Sequence, residues 1–223
     1  MNISKRLTVI ANLITMGGIV IDVGCDHGLL CQYLLLNNLA TSCIACDISN
    51  DCLDKVPNLY NIDKRLGDGL SVLDSVEKVH TIVVAGMGGI TIDRILRNYF
   101  ERLIENKVEV EQIEIVLSPQ SRVDIVRKLL LEYSCSITHD FVLFDGKFYD
   151  IIRSIYSTVH SVSNKNLSNV QLQYGVYYKI PNQYLKQRLD ILCNMYQKAI
   201  SNSKNNCRLD FKIRQIQEVL RWQ

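Results

Sequence analysis

Proline is scarce and long apolar runs are missing. Three prolines in 223 residues argue against extended proline-rich linkers. No stretch of 18 or more apolar residues occurs, so a membrane-spanning helix is excluded and no membrane partner is expected. The opening residues Met1-Asn2-Ile3-Ser4-Lys5-Arg6 lack an apolar core followed by a small-residue cleavage site, so a cytoplasmic location is expected. The dinucleotide fingerprint G-x-G-x-x-G does not occur either. Cys43-Ile44-Ala45-Cys46 has the C-x-x-C spacing but no second such pair to complete a zinc site. In a strand, a spacing of three sends its two thiols to opposite faces, so no metal and no redox pair are expected. Eight cysteines, at 25, 31, 43, 46, 52, 135, 193 and 207, could in principle pair. Six lie in or beside apolar runs, as small core residues do, and a chain with a full-sized core has no need of disulfides.

What is present is an ordinary globular composition, 48% hydrophobic and 22% charged, in a chain longer than one average domain and shorter than two. The formal net charge of +2 conceals an asymmetry. Residues 1–158 carry 15 Lys and Arg against 20 Asp and Glu, a net of −5, and residues 159–223 carry 10 against 3, a net of +7. An acidic body of residues 1–158 and a basic tail of residues 159–223 are therefore expected as two domains.

Along the body, strand and helix patterns alternate. Residues 4–16 have the period of an amphipathic helix capped by Ser4, with Gly17-Gly18 as its stop. Apolar runs at 19–23, 43–46, 59–64, 81–85 and 113–117 suit buried parallel strands. Helical patterns fall at 29–38, 51–56, 91–104 and 123–132, and residues 136–144 and 148–156 alternate as a hairpin about Asp145-Gly146. This order predicts a doubly wound α/β sheet, in which ligands bind beyond the carboxyl ends of the strands. In the tail, Leu185, Leu189, Leu192, Tyr196 and Ala199, and then Leu209, Ile213, Ile216 and Leu220, recur at spacings of four and three. They predict an antiparallel helical pair resembling a coiled coil.

The residues at the strand ends suit a nucleoside cofactor. Gly24 and Gly28 allow close approach of a ligand to the backbone. Asp47, beside Ile48, stands 25 residues after Asp22, where an acid can grip ribose hydroxyls. Asp68, between Gly67 and Gly69, is placed to accept from an exocyclic amine. Ala85-Gly86-Met87-Gly88-Gly89 follows the fourth strand, beside the expected reacting centre. In the first turn, Gly24-Cys25-Asp26-His27-Gly28, a diphosphate would be repelled by Asp26. A ligand bearing an ammonium and a sulfonium, such as S-adenosyl-L-methionine, would be attracted. Singly, each of these residues has an ordinary reading as a turn, a cap or a strand-end acid. Their joint placement at successive strand ends is what points to a site.

Ser4-Lys5-Arg6-Leu7, Ile21 to Gly28, Arg65-Leu66-Gly67-Asp68-Gly69-Leu70 and Ala85 to Gly89, in this order, resemble the bacterial TrmK family of tRNA adenine N1-methyltransferases acting at adenine 22. The resemblance implies a class I Rossmann-like methyltransferase domain with a coiled-coil-like C-terminal domain, S-adenosyl-L-methionine as donor and tRNA as acceptor. Residues 117–120 depart from the family pattern, with Leu-Ser-Pro-Gln in place of Leu-Gln-Pro-Asn. In this scheme Asp26, Gly86, Met87, Gly88 and Gln120 are the catalytic candidates. Backbone carbonyls of the Gly86–Gly89 turn or the Gln120 amide would hold the base, and Asp26 or His27 would orient the methionine end. Arg6, Lys186, Arg188, Lys198, Lys204, Arg208, Lys212 and Arg214 are candidates for RNA phosphates. Arg94, Arg97 and Arg102 are weaker ones, with Glu101 and Glu105 as ordinary partners. A monomer is expected. The competing readings are a small-molecule methyltransferase of the same fold and a non-catalytic RNA-binding protein with a vestigial pocket.

Overall fold

A computed structural model describes the chain apart from residues 60, 75–76, 161–165 and 202–206 and the side chains of 201, 207 and 208. The five apolar runs form parallel strands: β1 (Gly18–Val23), β2 (Ala40–Asp47), β3 (Ile62–Leu66), β4 (Thr81–Ala85) and β5 (Ile113–Ser118). The hairpin β6 (Ser136–Asp145) and β7 (Lys147–Tyr156) completes a seven-stranded sheet of order β3-β2-β1-β4-β5-β7-β6, in which β7 runs antiparallel to β5. Gly146, at φ +72°, makes the hairpin turn. Helices α1 (Lys5–Leu13), α2 (Leu29–Leu36), α3 (Asn50–Leu53), α4 (Gly89–Glu105) and α5 (Val123–Glu132) cover the two faces. The central strands are apolar on both sides, as parallel strands between helical layers must be. Ile21, Ile82 and Ile115 face one apolar cluster with α4 and α5, and Val20, Val83 and Val116 face the other with α1 and α2. Cys43 and Cys46 fall into different clusters, on opposite faces as their spacing requires, and the seven described cysteines are free.

Most expected boundaries move by a few residues, and for three of them the local reason is plain. The first helix ends at Leu13 rather than 16, because the Thr15 backbone N–H and hydroxyl both donate to the buried Glu114 carboxylate, at 2.9 and 3.0 Å. Gly18 is therefore not a helix stop but the first residue of β1, where a Cβ would come 2.6 Å from His80 Cβ. The third strand begins at Ile62, not at 59, because the Ile62 N–H closes a turn onto the Leu59 carbonyl.

The tail is helical, with α6 (Asn169–Tyr174), α7 (Gln183–Ser201) and α8 (Cys207–Leu220). Leu185, Leu189, Ile216 and Val219 form a third cluster that takes in Val142 and Phe148 of the hairpin. The seam predicted for α7 and α8 is kept near the body, but Ala199 at its far end is exposed. Helix α6 was not expected. Its signal is the capping box Ser168-Asn169-Val170-Gln171, in which the Ser168 hydroxyl accepts from the Gln171 N–H and the Gln171 side chain accepts from the Ser168 N–H.

Arg127, on α5, is fully buried and fixes the tail to the body. It donates twice to Asp140 of β6 at 2.8 Å, once to Asp150 of β7 at 3.2 Å and once to the Leu172 carbonyl of α6 at 2.8 Å. Asp140 also accepts from the Val176 N–H, and Asp150 from Arg188 of α7 at 2.7 Å. Removing one partner of such a network leaves buried charge without compensation. Arg127→Met is expected to lower unfolding stability by about 3–5 kcal/mol, measured by urea unfolding; a loss under 1 kcal/mol would show the network to be dispensable.

Candidate active site

The five parallel strands end level with one another. Val23 pairs with Cys46 and Val84, and Val84 with Leu117. Beyond this line each turn is tied to the neighbouring strand: Gly24 N–H to the Cys46 carbonyl, Gly67 to Asp47 and Gly86 to Ser118, at 2.8 to 3.0 Å. The edge thus becomes a shallow cleft floored by glycine backbone. Gly24 and Gly86, at φ +74° and +96°, use a conformation open to glycine and strained for other residues.

On the β2 side, Asp47 holds two turns together. Its carboxylate accepts from the Asp26 N–H at 3.2 Å and from the Ser49 N–H at 3.0 Å. Asp26, at φ +51°, directs its own carboxylate outward. It is 73% exposed, 3.4 Å from His27 Nε2, and accepts from the Cys52 thiol at 3.8 Å. Gly28 packs on Val56 and starts α2. Ile48 is 75% exposed beside Asp47, and Leu66, not singled out from sequence, is 54% exposed across from it. Two bare aliphatic side chains at a cleft rim offer a flat ligand something to pack on.

At β3, Asp68 does not stand free. Arg94 clamps it with two hydrogen bonds of 2.6 and 3.0 Å, and this guanidinium lowers the Asp68 pKa. Gly67 and Gly69 pack closely on Val72 and Ile95. A cavity of about 120 Å³ lined by Asp68, Leu70, Arg94, Asn98 and Arg102 adjoins them. The arginines of α4 are thus not partners of Glu101 and Glu105. Arg94 binds Asp68, Arg97 binds Asp93 and Glu132, and Arg102 donates to the Leu70 carbonyl.

On the β4 side, Ala85 leads into Gly86, Met87 and Gly88. The Met87 methyl closes over Gly24, so a Cβ there would have to push it aside. The Met87 carbonyl accepts from the Gln120 N–H at 2.8 Å, and the Gly89 N–H donates to the Ser121 carbonyl at 2.8 Å. These two bonds hold the turn after β5 against the turn after β4, so the Gln120 amide lies over Gly86. Asp22, one layer below, is 6% exposed, and burial raises its pKa to about 7, against the opposing pull of Arg6.

Arg6, a candidate for RNA phosphates, lies in this cleft. Helix α1 leads into the lower, amino end of β1, so its first turn lies at the upper, carboxyl edge of the sheet. The Arg6 guanidinium stacks on Tyr149 at 4.8 Å and reaches within 3.6 Å of the point a Gly86 Cβ would occupy; Gln120 Nε2 is 3.7 Å from the same point. Arg188, another RNA candidate, is engaged by Asp150. Lys212 lies 5.4 Å over the Tyr196 ring, and Lys186, Lys198 and Arg214 are exposed. Lys204 and the Arg208 side chain lie outside the described residues. A larger cavity, about 350 Å³, lies by the β6 edge among Thr138, Tyr174, Tyr177, Tyr178 and Leu185. It lacks the polar convergence of the strand-end cleft, which is the better candidate site.

A doubly wound sheet with a seventh strand inserted antiparallel and an acid-lined glycine cleft at its carboxyl edge is the arrangement of a Rossmann-like methyltransferase. Residues 3–152 match the model of the methyltransferase domain family. A Bacillus subtilis protein described as a tRNA (adenine(22)-N(1))-methyltransferase is 29% identical over 160 residues, 68% of this chain and 64% of its own length, so the match spans less than two thirds of that relative. A Streptococcus pneumoniae protein, described as a candidate tRNA (m1A22) methyltransferase and solved with S-adenosyl-L-methionine, is 28% identical, with a TM-score of 0.83 over 98% of this chain and 100% of that one. The B. subtilis TrmK structure, 24% identical, shares the fold with a TM-score of 0.79 over 98% and 99% of the two chains. The chain belongs to the methyltransferase domain family, and the relatives it is similar to include proteins described as tRNA (adenine(22)-N(1))-methyltransferases. Among the described residues no cluster of His, Cys, Asp and Glu could hold a metal, and no helix is long and apolar enough to cross a membrane.

The Asp22 carboxyl makes a pH-dependent prediction. Its pKa is raised from 3.8 to about 7, so the folded state favours the neutral form. Its stabilising contribution is present below about pH 4 and is lost as pH rises towards 7. Asp22→Asn, which stays neutral, is expected to stabilise the ligand-free protein by about 2–4 kcal/mol at pH 8 and by little at pH 4. Thermal melts at both pH values test this, and an equal effect at each would refute it.

Proposed function

We propose that this chain transfers the methyl group of S-adenosyl-L-methionine to N1 of adenine 22 in tRNA, acting as a cytoplasmic monomer. The observation that carries the reading is the cleft itself, aligned over nearly the whole chain with a relative solved with this cofactor. The residues present suit that group. Asp47 stands at the end of β2 for ribose hydroxyls, Ile48 and Leu66 give apolar surface beside it, and Gly24 and Gly86 leave space at the backbone. The acids Asp22, Asp26 and Asp47 favour a cation and oppose a diphosphate. Asp68 could accept from the adenine amine only by sharing its carboxylate with Arg94 or releasing it.

The cofactor supplies an electrophilic methyl group. The protein's task is to bring N1 in line with it. The N1 lone pair is free in neutral adenine, so no prior deprotonation is needed, and positioning supplies much of the rate. A hydrogen-bond acceptor on the N6 amine would raise N1 nucleophilicity. The Gly88 carbonyl starts α4 by accepting from Ile92 and the Met87 carbonyl accepts from Gln120, whereas the Gly86 carbonyl accepts no hydrogen bond among the described residues. We assign N6 to the Gly86 carbonyl and the Gln120 side-chain oxygen. Asp26, on the opposite side of the cleft from Gly86, then belongs to the cofactor rather than to the acceptor base. N1 lies on the pairing edge, so the target base must leave its stack.

The basic tail would supply phosphate contacts through Lys186, Lys198, Lys212 and Arg214. We place the functional boundary near residue 158, although the tail folds onto β6 and β7 as part of one packed body. Labelled S-adenosyl-L-methionine, incubated with the protein and unmodified tRNA, should yield 1-methyladenosine at position 22. Label on a small molecule only, or bound cofactor with no transfer, would support one of the alternatives. Deleting the tail would also unmake the Arg127 network, so charge substitutions are the cleaner test of RNA contact. Lys186→Ala with Arg214→Ala is expected to weaken tRNA binding about tenfold and to reduce the salt-dependence slope by roughly 1 to 2, with cofactor affinity unchanged. An unaltered slope would remove these two residues from the interface.

A further inference from the structure

The cavity of about 350 Å³ beside β6 plays no part in the strand-end cleft. One wall is β6 itself, the edge of the sheet, and the other is the segment 174–182 that leads from α6 to α7. Rings make up much of its lining: Phe141, Tyr174, Tyr177 and Tyr178, with His139 beside them. The one carboxylate in the lining, Asp140, is taken up by Arg127 and the Val176 N–H. The walls are tied together. The Tyr177 hydroxyl donates to the Ile137 carbonyl at 2.6 Å, the Asn182 amide to the Val142 carbonyl at 3.0 Å, and the Gln223 amide to the Ile180 carbonyl at 3.3 Å. Tyr177 and Ile180 are exposed, so the cavity opens to solvent on their side.

Rings with no unpaired carboxylate among them suit a flat, neutral group. A volume at the low end of the ~300–1,000 Å³ of small-ligand pockets suits one the size of a nucleobase. The surroundings are cationic. Lys179 stands between the lining residues Tyr178 and Ile180, with its ammonium 4.5 Å over the Trp222 ring and 6.0 Å over that of Tyr178. Lys186, exposed, follows the lining residue Leu185. Rings flanked by lysines attract a base whose phosphates stay outside. An added peptide strand would need the free edge of β6, where Tyr177 and Asn182 already take the Ile137 and Val142 carbonyls. The target adenine itself is excluded by distance. At ~3.4 Å per residue, the run of β6 from Asp140 to Asp145, whose carboxylate meets the Arg6 N–H at the cleft edge, is about 17 Å. Three strand spacings of ~4.8 Å separate β6 from β4, which leads to Gly86. We propose that this cavity receives a second, unpaired base of the substrate RNA, roughly 20 Å from the methylated one. The inference rests on tRNA being the acceptor. It gives the junction of body and tail a part in choosing RNA by shape, because two unstacked bases must be displayed at a set separation.

Steady-state methylation of unmodified tRNA, joined to photocrosslinking, tests the assignment. Tyr177→Ala should raise the KM for tRNA about tenfold, with kcat and S-adenosyl-L-methionine affinity unchanged, and Tyr177→Phe, which keeps the ring, by less than about twofold. Ile180→Glu, at an exposed position outside the core, should also raise it, by setting a carboxylate against the RNA phosphates. A benzophenone amino acid in place of Ile180 should crosslink to one nucleotide other than the target adenine. An abasic residue at that nucleotide should raise KM about as much as Tyr177→Ala does, with no further loss when the two are combined. An unchanged KM in both Tyr177→Ala and Ile180→Glu, additive losses, an equal loss of cofactor affinity, or a crosslink to the target adenine or to a second copy of the chain would overturn the proposal. A wild-type protein that methylates no tRNA would remove the acceptor reading and this inference with it. Methylation that is indifferent to Tyr177→Ala and Ile180→Glu removes the inference alone.

Discussion

A guanidinium cut off from water must be ringed by acceptors, and around Arg127 that requirement draws in most of the C-terminal half of the chain. One acceptor comes from each hairpin strand and one from α6, and Arg188 of α7 balances the second carboxylate. Two cations and two carboxylates alternate in one chain, Arg188–Asp150–Arg127–Asp140, so α5, the hairpin and the tail take one relative arrangement. Helix α5 begins just after Gln120. The same network therefore fixes the base of the turn that carries the Gln120 amide over Gly86. A buried ion network is a poor source of net stability but a strong specifier of geometry when every partner is met.

The cleft depends on a second constraint, the level ends of the parallel strands. Because the five ends align, each turn can bond to its neighbour, and the turns form a continuous floor instead of separate loops. The candidate site residues converge where this floor is least able to carry ordinary side chains. Gly24 and Gly86 sit at positive φ, Met87 fills the space over Gly24, and Arg6 and Gln120 converge over Gly86. On the β2 side the same logic gives Asp47 two backbone N–H groups, which orient its carboxylate before any ligand arrives.

The period of the apolar residues made the layers, the strand order along the chain and the hairpin legible before any coordinates. Helix 123–132 was read to the residue. Reading was weakest where a distant partner decides the outcome. Nothing near Thr15 announces that Glu114 will end its helix, and nothing near Asp68 announces Arg94, 26 residues away. The place of Arg6 was not legible because its charge was weighed without topology. A helix entering the lower end of β1 must begin at the upper edge, and that step alone places Arg6 in the cleft. The partner of Arg188 was hidden for a related reason: helical periodicity shows which face is apolar but not that Asp150 lies buried beneath it.

The raised Asp22 carboxyl has a consequence for the heat of binding. Near neutral pH the empty cleft holds a mixture of protonated and ionised Asp22. A cation arriving beside it would favour the ionised form, so each such binding event would expel a fraction of a proton into the solvent. The enthalpy seen in a calorimeter then contains the ionisation heat of whichever buffer takes that proton up. Titrations in two buffers of different ionisation enthalpy would differ in apparent heat at pH 7 and converge well above it. The site thereby reports its own protonation without any label.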